Sequence, residues 1–160
     1  MPTFTDDIAA IRALKTRLAT QFTTGSYGAA YAGYSGVDVV LLFDESDEPE
    51  EVGKPMISLS MESGDVSETT ASVRSEYRDV AVNAVVIVSD FSGAQVGDAN
   101  PVASDELLSI DLIKEVRNNY AAWRDLGLEG IKIRPQRMTP GGESGIRRTP
   151  HTITFTYANS

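Results

Sequence analysis

The chain contains no cysteine and a single histidine, His151. The lack of cysteine excludes disulfide bonds, thiol nucleophiles and cysteine-ligated zinc within the chain. A lone histidine also excludes a metal site built from several histidines of one chain. Because His151 follows Pro150 and has no acidic neighbour in sequence, we interpret it as a surface residue at the end of a strand.

Long apolar runs are also missing. No segment reaches the roughly 18 apolar residues that a membrane-spanning helix needs. The first residues, MPTFTDDIAAIRALK, lack the basic start and the continuous apolar stretch of a signal peptide. We therefore expect neither export nor membrane insertion. At 160 residues, the chain is predicted to form one domain, residues 1–160, large enough to bury a core.

Positive charge is scarce, and the net charge is −9. A general nucleic-acid-binding surface is therefore not expected, because phosphates would be repelled. The excess of acids over lysines is typical of proteins from salt-loving organisms, although an ordinary acidic protein has the same composition. The charge is uneven, since an acidic run at 44–51 contrasts with a basic segment at 132–148.

The acidic run contains Asp44, Glu45, Asp47 and Glu48, followed by Pro49. Carboxylates suit hard cations such as Ca²⁺ and Mg²⁺, but the run lacks the residue order of an EF-hand loop. We therefore interpret it as a solvated loop and predict no metal ligands in the chain.

The longest apolar stretch, Asp79–Phe91, predicts the central strand of a sheet. Both of its alternating faces are mostly apolar and rich in β-branched residues. Four further strands are predicted from apolar runs or period-two alternation: Val37–Asp44, Met56–Glu62, Ile131–Met138 and Ile146–Tyr157. The last two frame a Pro- and Gly-rich turn and so predict a terminal β-hairpin. Residues 67–77 are predicted to be a strand or an extended arm.

Two helices are predicted from apolar stripes at helical spacing, Thr5–Phe22 and Ser104–Asp125. Thr5 and Ser104 are the N-cap candidates, and Gly127 is the expected residue just after the second helix. Tyr120 and Trp123 fall in the second stripe, and we interpret both as core residues.

These elements predict an α+β fold. Adjacent strands with short turns indicate a mostly antiparallel sheet of about four to six strands, with two main helices packed on it. The order along the chain is helix, two or three strands, central strand, helix and hairpin.

No catalytic constellation is visible. The glycine-rich segment 141–145 lacks the Lys-Ser/Thr ending of a phosphate-binding loop, and it lacks the Gly-x-Ser-x-Gly spacing of a nucleophile elbow. We therefore predict no enzymatic activity, with no catalytic, cofactor-binding or metal-binding residues.

The arginines of the terminal hairpin leave two interpretations open. They are a solvated set of surface charges, or a docking arm that meets the acidic run of a neighbouring copy. Opposite charges on separated parts of one chain suit head-to-tail contacts that close into rings. The candidate interface residues on the cationic side are Arg134, Arg137, Arg147 and Arg148.

The sequence resembles a family in the texture and order of five segments: PMISLSM, DVAVNAVVIVSDF, DLIKEVRNNYAAW, and the closing IKIRPQ and HTITFTY. With the N-terminal amphipathic helix, this layout is similar to that of the tail terminator proteins of tailed viruses. These are also called tail-completion or minor tail proteins. The resemblance spans most of the chain, from IAAIRALKTRL to HTITFTY, and the acidic composition adds a haloarchaeal host.

The resemblance implies a virion structural protein without chemistry or cofactor. It implies a homo-hexameric ring at the head-proximal end of the tail, where the ring ends tail-tube polymerisation and provides the docking surface for the head and neck. The implied partners are other copies of the chain, the tail tube protein and a neck or head-completion protein, with no membrane and no direct nucleic-acid reading. The implied location is the virion tail and neck, with assembly in the host cytoplasm.

Two other functions remain open. The first is another neck component, such as a head-closure or connector protein, which differs only in its position in the virion. The second is a small cytosolic enzyme or ligand-binding domain. A monomer whose size does not depend on salt would favour the latter, whereas a ring of copies would favour a tail or neck protein.

Overall fold

The computed structural model describes residues 2–25, 36–42, 55–61, 77–89, 105–136 and 146–159. These residues form an α+β fold, as predicted, and within the described ranges it has five strands and two main helices. The helices are α1 (Asp7–Ala19), α2 (Asp105–Asn118) and the short α3 (Tyr120–Asp125). The strands are β1 (Asp38–Leu42), β2 (Met56–Met61), β3 (Tyr77–Ser89), β4 (Glu129–Pro135) and β5 (Ile146–Ala158).

The five strands form one sheet in the order β1-β2-β3-β5-β4. The predicted hairpin is confirmed, because β4 pairs antiparallel with β5, which in turn pairs along its whole length with β3. The expectation of antiparallel neighbours fails at β1 and β2, which pair in parallel. The connection between them, residues 43–55, provides the dozen or so residues that a parallel crossover requires.

Helix α1 begins and ends differently from its prediction. Its N-cap is Asp6 rather than Thr5, and the Asp6 carboxylate accepts a hydrogen bond of 2.7 Å from the Ala9 amide. The regular helix ends at Ala19, and a π-helical turn at Thr20–Thr24 carries the chain on to bury Phe22.

The second predicted helix is interrupted at Asn119, whose backbone angles (φ −117°, ψ 36°) are not helical. The interruption turns α3 relative to α2, so the single stripe read from the sequence does not stay on one face. Trp123 is fully buried, which confirms its core assignment. Tyr120 was also expected in the core, and this expectation is wrong, because its side chain is 54% exposed.

The sheet has two different faces. On the helix-covered face, buried side chains of α1 and α2 share one core with alternating β3 side chains: Val80, Val82, Ala84, Val86 and Val88. The opposite side is called the second face. At one end it carries a small apolar cluster of Val40, Met56, Val85 and Ile87, and at the other end it is polar. Within the described ranges, no helix is long and apolar enough to cross a bilayer.

Candidate interface

Two of the four predicted interface arginines have described side chains, and both are exposed on the second face. Arg134 lies on β4 and pairs in register with Thr152, while Arg148 lies on β5 opposite Ile87. At the rise of an extended strand, Arg148 and Thr152 are about 13 Å apart along β5. Lys132 joins them on the same face of β4. The hairpin therefore presents cations from both of its strands.

Among the remaining predicted interface residues, Arg147 alone lies within the described ranges. The backbone of Arg147 lies in β5, opposite Val88. The others lie outside the described residues: Arg137, Asp44, Glu45, Asp47 and Glu48. The contact between the hairpin arginines and the acidic run of a neighbouring copy therefore stays a prediction.

A hydrogen-bonded polar row holds the end of β4 against the sheet. The Gln136 amide nitrogen donates to Asn83 Oδ1 on β3 at 3.3 Å and to Thr152 Oγ1 on β5 at 2.5 Å. Because Gln136 lies two residues after Arg134, this row fixes the backbone that carries the arginine.

A shallow depression of about 340 Å³ lies at the polar end of the second face. It is lined by Asp79 and Lys132, with Thr154 and Thr156 between them. The Thr156 hydroxyl donates to Asp79 Oδ1 at 2.6 Å, so this carboxylate already has one partner. The depression can hold a small polar group, but it is open to solvent along its length.

The two outer strands differ in character. Strand β1 contains Val39, Val40, Leu41 and Leu42 and no basic residue or proline, whereas β4 contains Lys132, Arg134 and Pro135. Among the described strands, neither has a partner on its outer side. The acidic run begins two residues after β1 ends. Sheet order thus separates the cationic strands from the strand that leads into the acids.

An apolar patch lies where β1 and β2 end beside the start of α1. Ile8 is 36% exposed and Met61 is 44% exposed, and they border a small hollow with Leu41 and Leu42. Exposed apolar groups gathered at one place are typical of a surface that another molecule covers.

The prediction that His151 is a surface residue is wrong. Its side chain is fully buried on the helix-covered face. Nδ1 lies 3.2 Å from the Ala84 carbonyl on β3, and Nε2 lies 2.5 Å from Ser109 Oγ on α2. A carbonyl only accepts, so Nδ1 carries the proton and Nε2 accepts from the Ser109 hydroxyl. Burial lowers the pKa of His151 against the opposing effect of the Ala84 and Thr149 backbone hydrogen bonds, and the ring is neutral near pH 7.

The Ser109–His151 pair resembles a nucleophile with its base, but its surroundings indicate a structural role. The histidine is oriented by a main-chain carbonyl instead of the carboxylate that orients the base in a catalytic triad. Both residues are buried between α2 and the sheet, with Ser109 8% and His151 0% exposed. The pair joins the helix to the sheet and satisfies three buried polar groups at once.

A second buried polar cluster joins the three helices around Glu115 of α2, which is 1% exposed. Its Oε1 accepts from Arg17 Nε at 3.1 Å and its Oε2 from Asn119 Nδ2 at 2.9 Å. The Arg17 guanidinium also lies over the Trp123 ring, 5.8 Å from its centre. Burial raises the pKa of Glu115, an effect that Arg17 opposes through its charge and its hydrogen bond.

Both clusters had a signal in the sequence. His151 alternates in phase with Ile153 and Phe155, which point to the core, so the period of two already placed it inward. Glu115 stands three residues after Leu112, within the apolar stripe of α2. Asn119 is one helical turn from Glu115, but Arg17, Ser109 and Ala84 come from distant parts of the chain and had no such signal. Among the described residues, no group of three or more acidic or histidine side chains is placed to hold a metal ion.

No known protein family has a model that matches the chain, and no curated protein matches it.

Proposed function

We propose that the chain is a virion structural protein, the tail terminator of a tailed virus. Copies form a homo-oligomeric ring, with six subunits as the expected number, at the head-proximal end of the tail. The ring ends polymerisation of the tail tube protein and offers a docking surface to the neck or head-completion protein. The protein needs no cofactor and carries out no reaction.

The observation that carries this proposal is the separation of charge across the sheet. Exposed cations lie on β4 and β5 at one side of the sheet, and β1, which the acidic run follows in sequence, is the outer strand at the other. A contact between two copies that joins these different surfaces is head-to-tail, and it closes into a ring when the rotation per copy divides the circle. Opposite charges give such a contact its orientation and register.

The order of elements adds support. The chain runs through a helix, strands, a long central strand, a second helical region and a terminal hairpin, which is the layout on which the resemblance to tail terminators rests. The Ser109–His151 and Arg17–Glu115 hydrogen bonds connect different elements inside the domain. Such connections suit a rigid subunit of an assembly. The acidic composition favours a virus of a halophilic archaeon, with assembly in the host cytoplasm and final location in the virion tail and neck.

The first experiment measures the native mass of the purified chain at low and high salt. We expect a discrete species of about six times the 17.2 kDa chain mass, whose population changes with salt because charged contacts are screened. A monomer at every salt and protein concentration would contradict the proposal.

The second experiment removes the protein from the virus that encodes it. We expect tails of irregular length that fail to join heads, because nothing ends tube growth. Tails of normal length that are joined to heads would refute the assignment. Tails of normal length that remain unjoined would instead favour the second candidate, a head-closure or connector protein of the neck.

A further inference from the structure

The two outer strands, β1 and β4, have matching hydrogen-bonding edges. The Asp38 amide donates to the Pro55 carbonyl on the β2 side, so the amides of Val39 and Leu41 point outward. The Gln136 amide donates to the Pro150 carbonyl on the β5 side, so Ile133 points its amide outward from β4. No strand among the described residues pairs with either edge, so each edge offers these backbone groups to a strand of another molecule.

Side-chain alternation also matches. On β1, the residues with outward amides, Val39 and Leu41, have side chains on the helix-covered face. On β4, Ile133 also combines an outward amide with a side chain on the helix-covered face, where that side chain is buried. A junction of the two edges would therefore place apolar side chains beside apolar side chains and continue the covered face from one copy to the next.

The second face of the same junction has complementary chemistry. There β1 presents Val40 and Leu42 and leads into the acidic run, while β4 presents Lys132 and Arg134. The long cationic side chains can cover the apolar surface of β1 with their stems while their charged ends stay in solvent.

Edge protection distinguishes the two strands. Charged side chains and Pro135 on β4 are the usual means by which an edge avoids indiscriminate pairing. Strand β1 has no basic residue and no proline, and it borders the exposed Ile8 and Met61. An apolar edge of this kind is an aggregation hazard unless a specific partner covers it.

We propose that β4 of one copy pairs antiparallel with β1 of the next copy, so that the sheet continues across each subunit boundary of the ring. The orientation follows from the fold, because β4 runs antiparallel to β1 within each copy and a neighbour reached by a modest rotation keeps that relation. This inference rests on the head-to-tail ring of the proposed function and names the surfaces that form it.

Cysteine cross-linking tests the junction cleanly, because the chain has no cysteine of its own. Within one copy, β1 and β4 are four strand positions apart, about 19 Å, whereas a disulfide needs Cα atoms within about 7 Å. Any disulfide between Cys introduced at these two strands must therefore join different copies.

The test variants are Val40→Cys combined with Lys132→Cys, and Val40→Cys combined with Arg134→Cys, which sample two registers. On mild oxidation we expect at least one of them to give a ladder of reducible multimers up to the size of the ring. The matched control combines Val40→Cys with Lys114→Cys, which lies on the exposed side of α2, and should give no ladder. Leu42→Cys replaces Val40→Cys if the latter does not fold.

The outcomes separate this inference from the proposed function. A stable ring in which neither register gives a ladder would overturn strand pairing and leave the ring itself intact. A chain that remains monomeric would overturn both. A ladder in the control as strong as in the test pairs would show non-specific collision and would also overturn the junction.

Discussion

At the residue scale, the stability of this fold depends on ionisable groups that are buried away from the surface. His151 and Glu115 both lie at junctions between a helix and another element. Burial lowers the pKa of His151 and raises the pKa of Glu115, so both shifts favour the neutral form of the side chain. Each of the two residues forms a hydrogen bond with a partner distant in sequence, His151 with Ser109 and Glu115 with Arg17. Removal of one partner is therefore expected to cost more than the bond itself contributes, because the other is left buried and unpaired.

The His151 pair predicts a loss of stability in mild acid. Burial holds the pKa of His151 in the folded state below its ordinary 6.5. In mild acid, the unfolded chain therefore binds a proton at His151 that the folded chain does not bind. The free energy of unfolding should therefore fall as the pH drops below about 6.5. His151→Gln, which can still accept from Ser109 and donate to the Ala84 carbonyl, should reduce this dependence. Denaturant titrations between about pH 5 and 8 measure it, and equal pH profiles for both proteins would contradict the prediction.

The Arg17–Glu115 pair predicts strong coupling between two substitutions. Arg17→Met leaves the buried carboxylate without its cation and should cost about 3 kcal/mol of unfolding free energy. Adding Glu115→Gln should recover most of that loss, since the amide carries no charge and can still meet Asn119. Chemical denaturation of both single variants and the double variant forms the cycle. Costs that simply add would show that the charges do not interact.

At the element scale, the end of α3 depends on a glycine in a left-handed conformation. Gly127 has φ +90°, and the amides of Gly127 and Leu128 donate back to Arg124 and Trp123 at 2.9 and 3.0 Å, which is a Schellman motif. The motif turns the chain sharply from α3 into β4 and so sets where the cationic edge strand begins.

Gly127→Ala should destabilise the fold by about 2–3 kcal/mol. Left-handed backbone costs a non-glycine residue about 1–2 kcal/mol, and a Cβ here would also lie 2.9 Å from the Pro2 carbonyl oxygen. Gly130→Ala is the matched control, because Gly130 also has a positive φ of 60° but no atom within 4 Å of its Cβ position. Thermal unfolding of both variants isolates the effect of crowding, and equal losses would show that crowding contributes nothing.

At the scale of the whole molecule, three exposed cations, Lys132, Arg134 and Arg148, share the second face of one strand pair. Charge reversal at Arg134→Glu with Arg148→Glu should shift the population from rings to monomers, because the contact with acids of the next copy becomes repulsive. Arg117→Glu with Arg124→Glu makes the same change of charge on the exposed sides of α2 and α3 and should leave assembly unchanged. Native mass reports assembly, and the melting temperature checks that each variant folds. Equal loss of rings in both pairs would point to net charge rather than to the interface.

The sequence by itself determined the fold class and most of the elements. Alternation in β3 and the apolar stripes of α1 and α2 are local patterns, because a strand or helix must bury one side wherever it lies. These patterns also found Trp123 and the hairpin of β4 and β5. For His151 the local signal was present but misinterpreted, because its alternation with Ile153 and Phe155 places its side chain on the buried face.

Only the tertiary structure decided how distant segments meet. The parallel pairing of β1 with β2, the contacts of His151 with Ser109 and Ala84, and the Arg17–Glu115 pair all join residues far apart in the chain. Sequence periodicity records which side of an element is buried, but it does not record against what. The order of strands, which sets the cationic edge opposite the strand that leads into the acids, is a property of the assembled sheet.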